Sequence, residues 1–186
     1  MANEAEKTLH EMQQVLTIDA NGVYETEEDK AELLWHELQN AYRSKRILSG
    51  VLSGVEETSS GSIAVVYYKG QRMIIPVSEM ELNLSEQNGY GEMKGRQVRI
   101  LNNMVGCEID FILIALDDTA RSVVASRRLA MLAKRRKFYF PNENGNAQIT
   151  EGRVVQARVI AVAEKVVRLE VFGAECAVPA RDIAWE

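Results

Sequence analysis

The stretch that decides the fold begins at Ile47 and reads ILSGVLSGVEE (47–57), SIAVVYYKG (62–70), QRMIIPVSEM (71–80) and EIDFILIALDDTARSVVASRR (108–128). These short apolar runs are rich in β-branched residues and are separated by Gly, Lys-Gly and Asp-Asp turns, a pattern typical of strands joined tightly. Five strands are predicted, at 47–55, Ile63–Tyr68, Gln71–Val77, Glu108–Leu116 and Arg121–Ala125. Strands this short, with glycines inside the first one, favour a small closed β-barrel.

The first half of this pattern returns near the end of the chain as GRVVQARVIAVAEKVVRLEVFGAECAVPARDIAW (152–185). IPVSEM at Ile75–Met80 matches VPARDI at Val178–Ile183 in position and character, which indicates an internal repeat. Three strands are predicted in the second copy, at Arg153–Val162, Lys165–Phe172 and Glu175–Val178. Because a fourth and a fifth strand are missing, we expect a piece of a longer protein, or a unit completed by strands from elsewhere.

Helices and linkers are predicted around these strands. Residues 1–26 form an acidic, flexible segment, and residues 27–46 form a helix that packs on the barrel. Thr26 and Asp29 resemble a capping box at the start of that helix. Arg96–Leu101 is predicted as a short extra strand. A basic helix begins at 126–128 and runs through Lys137, and residues 129–148 comprise this helix and a linker.

Charge is distributed unevenly along the 186 residues, whose net charge is −5. Residues 1–32 carry nine acids and two bases, a net charge of −7, so the remainder carries +2. From Arg121 to Phe140 there are seven bases and no acid. A run of bases without alternating acids favours a surface that contacts phosphates, with a solvated helix face as the alternative.

Several function classes are disfavoured by the sequence. No apolar run reaches the ~18 residues of a membrane span, and the N-terminus lacks the apolar core of a secretory signal. Cys107 and Cys176 lie in separate apolar runs, where buried reduced thiols and a cytoplasmic location are expected. Zinc-ligand spacings, a phosphate-binding glycine loop and a paired acid and base are all missing from the sequence. We therefore expect a non-enzymatic protein with no metal or organic cofactor and no membrane partner.

Taken together, these motifs resemble the S-one domain, the RNA-binding domain repeated in ribosomal protein S-one. The resemblance covers Ile47–Arg128, with extra residues around 86–103, and part of Glu151–Trp185. DDTARSVVASRR (117–128) is similar to the fifth strand of the family, and IPVSEM is similar to its third strand and the short helix that follows. The resemblance implies a mainly β fold with flanking helices: a five-stranded OB-type barrel at 47–128 and a second, partial OB-like unit at 149–186.

The resemblance departs from the family at the surface on which RNA bases stack. Family members that bind RNA well place two phenylalanines at the start of the second strand and a histidine on the third. Here Ser62 and Ile63 lie in the first region, and Pro76 stands at the histidine position. The resemblance therefore implies that single-stranded RNA is bound mainly through phosphate contacts, with weak sequence selectivity. Tyr67 and Tyr68 point to opposite faces of one strand, so the exposed one is a stacking candidate unless both pack.

The candidate RNA-binding residues combine these tyrosines, the cations near them, the polar pair of the fifth strand and the bases of the later segments. They are Tyr67, Tyr68, Lys69, Arg72, Asp117, Arg121, Arg127, Arg128, Lys134, Arg135, Arg136, Lys137, Arg153, Arg158 and Arg168. Single-stranded RNA is the expected partner, with the ribosome or another protein assembly as a further candidate, and the oligomeric state is left open. The alternative function is a protein-interaction module that docks on such an assembly and has little RNA affinity.

Overall fold

The structure is a computed structural model that describes residues 26–82 and 90–183, with the backbone alone described at 90–94. The acidic segment 1–25 and Trp185 lie outside the described residues. The helices are α1 (Glu27–Ser44), α2 (Tyr90–Met104) and α3 (Arg127–Phe138). The strands are β1 (Leu48–Thr58), β2 (Gly61–Tyr68), β3 (Gln71–Pro76), β4 (Glu108–Asp117), β5 (Ser122–Ser126), β6 (Arg158–Val162), β7 (Val166–Val171) and β8 (Ala174–Pro179).

The first five strands form one mixed sheet that closes on itself. Their order is β1-β2-β3-β5-β4, and β4 pairs back onto β1. The β3–β5 pair is parallel and the other four pairs are antiparallel. The prediction of five strands in this part of the chain, with a mainly β fold and flanking helices, is confirmed.

Strand β1 shows why a glycine is needed inside the sheet. Its burial alternates over its first residues, and Leu48 and Leu52 point into the core. A Cβ on Gly50 would lie 2.6 Å from the carbonyl oxygen of Tyr67, closer than real Cβ contacts come. The pairing with β2 then shifts register between Leu52 and Gly54, a bulge that bends β1 around the sheet.

Helices α1 and α2 both contribute side chains to the apolar core of the closed sheet. In α1, Trp35, Leu38 and Ala41 are buried in the same apolar cluster as the inward side chains of the strands. Leu101 and Met104 of α2 join that cluster from the segment between β3 and β4. The prediction of an extra strand at Arg96–Leu101 is wrong, because these residues lie within α2.

The chain divides into two compact units between Leu33 and Leu34, and the start of α1 belongs to the first unit. The amide of Asp29 donates to Oγ1 of Thr26 at 3.1 Å, and the amide of Thr26 donates to the Asp29 carboxylate at 3.0 Å. The predicted capping box is confirmed. These bonds lower the pKa of Asp29 below its ordinary value, with the Thr26 hydroxyl as the largest cause.

The second copy of the sequence repeat, strands β6 to β8, has the same arrangement as the first three strands of the closed sheet. Strands β6, β7 and β8 form an antiparallel sheet in that order, with a register shift between Val159 and Ala161 like the one in β1. Both β3 and β8 end in a proline and run into a 3-10 turn, at Val77–Glu79 and Ala180–Asp182. The three strands of the second copy are confirmed, although residues 153–157, predicted as strand, are irregular.

The three-stranded sheet packs on α3 rather than pairing with further strands among the described residues. Gly173, in the β7–β8 turn, has a φ of +96°, and a Cβ there would lie 2.4 Å from the carbonyl oxygen of Met131. Phe138 and Phe172 pack with ring centroids 4.5 Å apart. The hydroxyl of Tyr139 donates to the carbonyl of Val171 at 2.7 Å. Backbone approach and aromatic packing thus fix this turn against the last two turns of α3.

Candidate nucleic-acid interface

One row of exposed side chains crosses the outer face of β1, β2 and β3. Val51 pairs with Tyr67, and Tyr67 pairs with Arg72. Tyr67 is 44% exposed and Val51 is 47% exposed. Arg72 Nη2 lies 2.7 Å from Oε2 of Glu56, in an ion pair whose two side chains are about half exposed. Exposed pairs of this kind contribute only about 0–1 kcal/mol, so Arg72 can exchange Glu56 for another anion at little cost.

The neighbouring Tyr68 lies on the opposite face and has a structural role. Its hydroxyl donates to Oε1 of Glu37 in α1 at 2.8 Å, and Lys69 Nζ lies 2.7 Å from Oε2 of the same carboxylate. Burial, followed by the bond to Glu37, raises the pKa of Tyr68, while the bond from Lys69 is the largest cause lowering the pKa of Glu37. Of the two sequence alternatives, the structure has one tyrosine exposed, Tyr67, and the other joined to α1.

Of the polar pair predicted on the fifth strand, Asp117 is the last residue of β4 and Arg121 lies in the β4–β5 turn. The carboxylate of Asp117 accepts the amides of Thr119 and Ala120 at 2.9 Å each, so it shapes the turn. The guanidinium of Arg121 lies 4.8 Å from the ring centroid of Trp35. The resemblance placed Asp117 and Arg121 beside an RNA backbone, whereas here their contacts are within the chain.

The same turn is fixed to α1 by Asp118. Its carboxylate accepts the indole N–H of Trp35 at 2.7 Å and the side-chain amide of Gln39 at 2.8 Å. These two bonds, that of Trp35 first, lower the pKa of Asp118. Trp35 is 4% exposed, so it packs in the core while its N–H holds the turn.

The cations of α3 are paired with carboxylates from distant parts of the chain. Arg128 lies 2.8 Å from Glu79, and Arg135 lies 2.6 Å from Glu81 and donates to the carbonyl of Gly173. The expectation that these bases lack balancing acids holds only within their own segment of sequence. The balancing acids, Glu79 and Glu81, come from the segment that follows β3, and they reduce the positive charge available on this helix.

Arg127 and Lys134 are removed further from solvent, in a buried ion cluster formed with the second sheet. Its members are Arg127, Lys134 and Arg158, with the acids Asp110, Glu170 and Glu175. Arg127 has no exposed surface, and its Nη1 donates to the carbonyl of Met80 at 2.9 Å. The prediction that Arg127 contacts RNA is therefore corrected, because a phosphate cannot reach it without unfolding this interface.

Asp110 connects the closed sheet with the second sheet. It accepts hydrogen bonds from Lys134, from Ser49 at 2.6 Å and from Arg158 at 2.9 Å. Burial alone would raise the pKa of Asp110, but these hydrogen bonds outweigh burial and lower it. Burial opposes the charge of Arg158 as well, and its bond to Asp110 raises its pKa on balance. Lys134 and Arg158 therefore act in internal ion pairs, in contrast to their predicted contacts with phosphates.

Three of the predicted cations face solvent away from this cluster. Arg136 and Lys137 are exposed at the end of α3, and the Lys137 ammonium lies 5.5 Å from the centroid of Phe138. Arg153 is exposed in the irregular segment before β6, and its Nη1 donates to the carbonyl of Gln148 at 2.6 Å. These side chains do not belong to the row of Val51, Tyr67 and Arg72, because they lie on α3 and in the segment before β6.

A cleft between α2 and the second sheet was missed by the sequence reasoning. Its lining combines three arginines, an asparagine and small or branched apolar residues, and it has a volume of about 220 Å³. The lining residues are Arg96, Arg99, Ile100, Asn103, Ala161, Ala163, Val166 and Arg168. Of the predicted residues only Arg168 belongs to it. Helical spacing puts Arg96, Arg99 and Asn103 on one face of α2. A strand at 96–101 would instead place neighbouring residues on alternate faces, so the strand prediction does not bring these side chains together.

The two cysteines differ in exposure. Cys107 is half-buried, with a pKa raised by burial, and Cys176 is exposed, so the prediction of two buried thiols is wrong for Cys176. Within residues 26–82 and 90–183, no three metal-ligating side chains converge. No helix in this part of the chain is long and apolar enough to cross a membrane. Compared with known proteins, the chain matches no family model and no curated protein.

Proposed function

We propose that this chain is a non-enzymatic, cytoplasmic RNA-binding protein with an OB-type barrel, related in kind to the S-one domain. The support from the fold is the closed five-stranded order β1-β2-β3-β5-β4 with a helix between β3 and β4. Barrels of the OB type bind oligonucleotides across the face of strands two and three. The observation that carries the proposal is the exposed row Val51–Tyr67–Arg72 on that face.

The chemistry of this row suits single-stranded RNA. The Tyr67 ring offers one stacking surface, and base stacking on an aromatic side chain contributes about 1–3 kcal/mol per base. Arg72 beside it provides a guanidinium for a phosphate, once its exposed bond to Glu56 is exchanged. Selectivity would be weak, because stacking accepts every base and phosphates are common to all nucleotides. Duplex RNA is disfavoured, since its bases are already stacked on each other.

Three variants at one position test this proposal. Tyr67→Ala should weaken binding of a short single-stranded RNA about 5- to 150-fold, from the ~1–3 kcal/mol of one stacked base. Tyr67→Phe should retain most of the affinity, because its ring can still stack. Tyr67→Leu is the matched control that keeps apolar bulk without an aromatic ring, and it should behave like the alanine variant. Equal affinities for all three variants and the original protein would exclude Tyr67 from the interface.

The alternative is a protein-interaction module, and one observation favours it. Lys134, Arg135 and Arg127 of α3 are neutralised by the chain's own carboxylates, which reduces the attraction for a polyanion. On this alternative, Val51 and Tyr67 would contact a ribosomal or other assembly protein. Single-stranded RNA against duplex of equal length, at low and moderate salt, separates the two functions. RNA binding predicts preference for the single strand and weaker affinity at moderate salt, whereas the module predicts negligible binding of both.

A further inference from the structure

The arginine cleft, defined by the lining residues of α2 and of β6 and β7 given above, differs from the ion cluster in its balance of charge. In the cluster each cation faces a carboxylate at ion-pair distance. Among the described residues that line the cleft there are three arginines and no acid. Arg168 is paired, since its Nη1 lies 3.6 Å from Oε2 of Glu175. Arg99 is exposed and has no ion pair within the part of the chain that the structure describes, so its charge is available at the cleft.

We propose that this cleft binds backbone phosphates of the single-stranded RNA, an inference that rests on the proposed RNA-binding function. A guanidinium presents a planar fork of N–H donors that matches two oxygens of a phosphate. Arg99 and Asn103 are exposed, so their donors are accessible from solvent. Arg168 is paired with Glu175 at 3.6 Å, which leaves the charge of Arg99 uncompensated by that carboxylate.

The size and the floor of the cleft agree with this ligand. A volume of about 220 Å³ is room for about seven waters at liquid density, and so for a phosphate with part of its sugar. Ile100, Ala161 and Val166 supply an apolar floor, against which a ribose or a base can pack. A free phosphate would use only the arginines, whereas an RNA chain would use both the arginines and the floor.

The position of the cleft gives the second sheet a role in binding. Ala161, Ala163 and Val166 come from the second sheet, and Arg96 and Arg99 come from α2, whose Leu101 and Met104 pack in the core of the closed sheet. The buried ion cluster joins the two sheets, because Arg158 of β6 pairs with Asp110 of β4. The internally paired cations would thus support RNA binding indirectly, by holding the second sheet beside the accessible Arg99.

The test reverses one exposed charge. Arg99→Glu should weaken binding of single-stranded RNA about three- to tenfold at low salt and lower the slope of log Kd against log salt by about one. Arg181→Glu is the matched control, because Arg181 makes the same charge change on an exposed side chain of the second unit outside the cleft. The control should leave affinity and slope nearly unchanged. Tripolyphosphate is titrated in parallel as a phosphate source without bases.

The outcomes separate the cleft from the proposed function. RNA binding with an unchanged slope in Arg99→Glu would overturn the cleft while leaving RNA binding in place. Tripolyphosphate binding that Arg99→Glu abolishes, in a protein that binds no RNA, would overturn the RNA function and leave a site for a small phosphorylated ligand. An equal loss in Arg181→Glu would show a general charge effect and would also overturn the cleft.

Discussion

The Nη2 atom of Arg127 lies 2.8 Å from Oε1 of Glu175, and both side chains are almost completely buried between α3 and the second sheet. The contact has ion-pair distance without hydrogen-bond geometry, since neither atom has a hydrogen-bond partner among the described residues. We expect this pair to favour one packing of the second sheet on α3 over others more than it raises the free energy of unfolding. A charge this deeply buried makes the packing of the second sheet sensitive to the loss of either partner.

Removal of Arg127 should destabilise the protein strongly. Arg127→Ala removes the cation nearest to the buried Glu175, which keeps only Arg168 at 3.6 Å, and breaking a buried pair on one side costs about 3–5 kcal/mol. Denaturant unfolding measures the change in the free energy of unfolding. Arg128→Ala is the control, since its pair with Glu79 is partly exposed and such pairs contribute about 0–1 kcal/mol. Similar losses in the two variants would contradict the burial of Arg127.

The lowered pKa of Asp110 predicts a loss of stability in acid. Its carboxylate is more acidic in the folded state than in the unfolded chain, where the pKa is about 3.9. The contribution of its charge is therefore complete above that value and is lost as the pH falls through the folded pKa. Urea midpoints measured from pH 6 down to pH 3 should fall less steeply in Asp110→Asn than in the original protein. Parallel pH profiles would show that Asp110 does not titrate differently on folding.

Gly173 should tolerate substitution less well than Gly70, although both have positive φ. The φ values are +96° and +86°, so alanine at either site incurs the left-handed backbone cost of about 1–2 kcal/mol. Only at Gly173 would the new Cβ meet backbone, 2.4 Å from the Met131 carbonyl oxygen, which adds about 1–3 kcal/mol of overpacking. Thermal unfolding of Gly173→Ala and Gly70→Ala measures the difference. Equal shifts would contradict the close approach of the β7–β8 turn to α3.

The two adjacent tyrosines should separate stability from binding. Tyr68→Phe removes the hydroxyl that bonds Glu37, with an expected loss of about 0.5–1.5 kcal/mol, and should leave RNA affinity unchanged. Tyr67→Ala should show the reverse, because Tyr67 is exposed and its hydroxyl makes no hydrogen bond with the described residues. Unfolding curves and RNA titrations on both variants check this. A loss of RNA affinity in Tyr68→Phe would argue that α1 itself takes part in binding.

Local patterns in the sequence predict much of this fold. The alternation in β2 predicts that Tyr67 and Tyr68 face opposite ways, and the match of IPVSEM to VPARDI predicts two similar strand–turn segments. The basic helix begins where the sequence predicts, and Ser126 caps it, since its hydroxyl accepts the amide of Leu129 at 3.1 Å. These features depend on residues that lie close together in the chain, so the sequence shows them directly.

The partners of the α3 cations could not be predicted in the same way. Lys134 pairs with Asp110 and Glu170, which lie 24 and 36 residues away. Counting the charges within one segment of sequence does not identify such distant partners. Helix α2 was missed because Gly91 and Gly95 lie inside it, and glycine disfavours helices by about 1 kcal/mol. The spacing of the buried Leu101 and Met104 is the helical signal that competes with those glycines.

The most direct test of the account is to crosslink the protein to a single-stranded RNA that carries photoreactive bases and to identify the crosslinked residues by mass spectrometry. We predict crosslinks at Tyr67 in β2 and on α2 near Arg99, with none at Arg127. Crosslinks confined to the exposed end of α3, or the absence of any crosslink under conditions of saturating RNA, would contradict it.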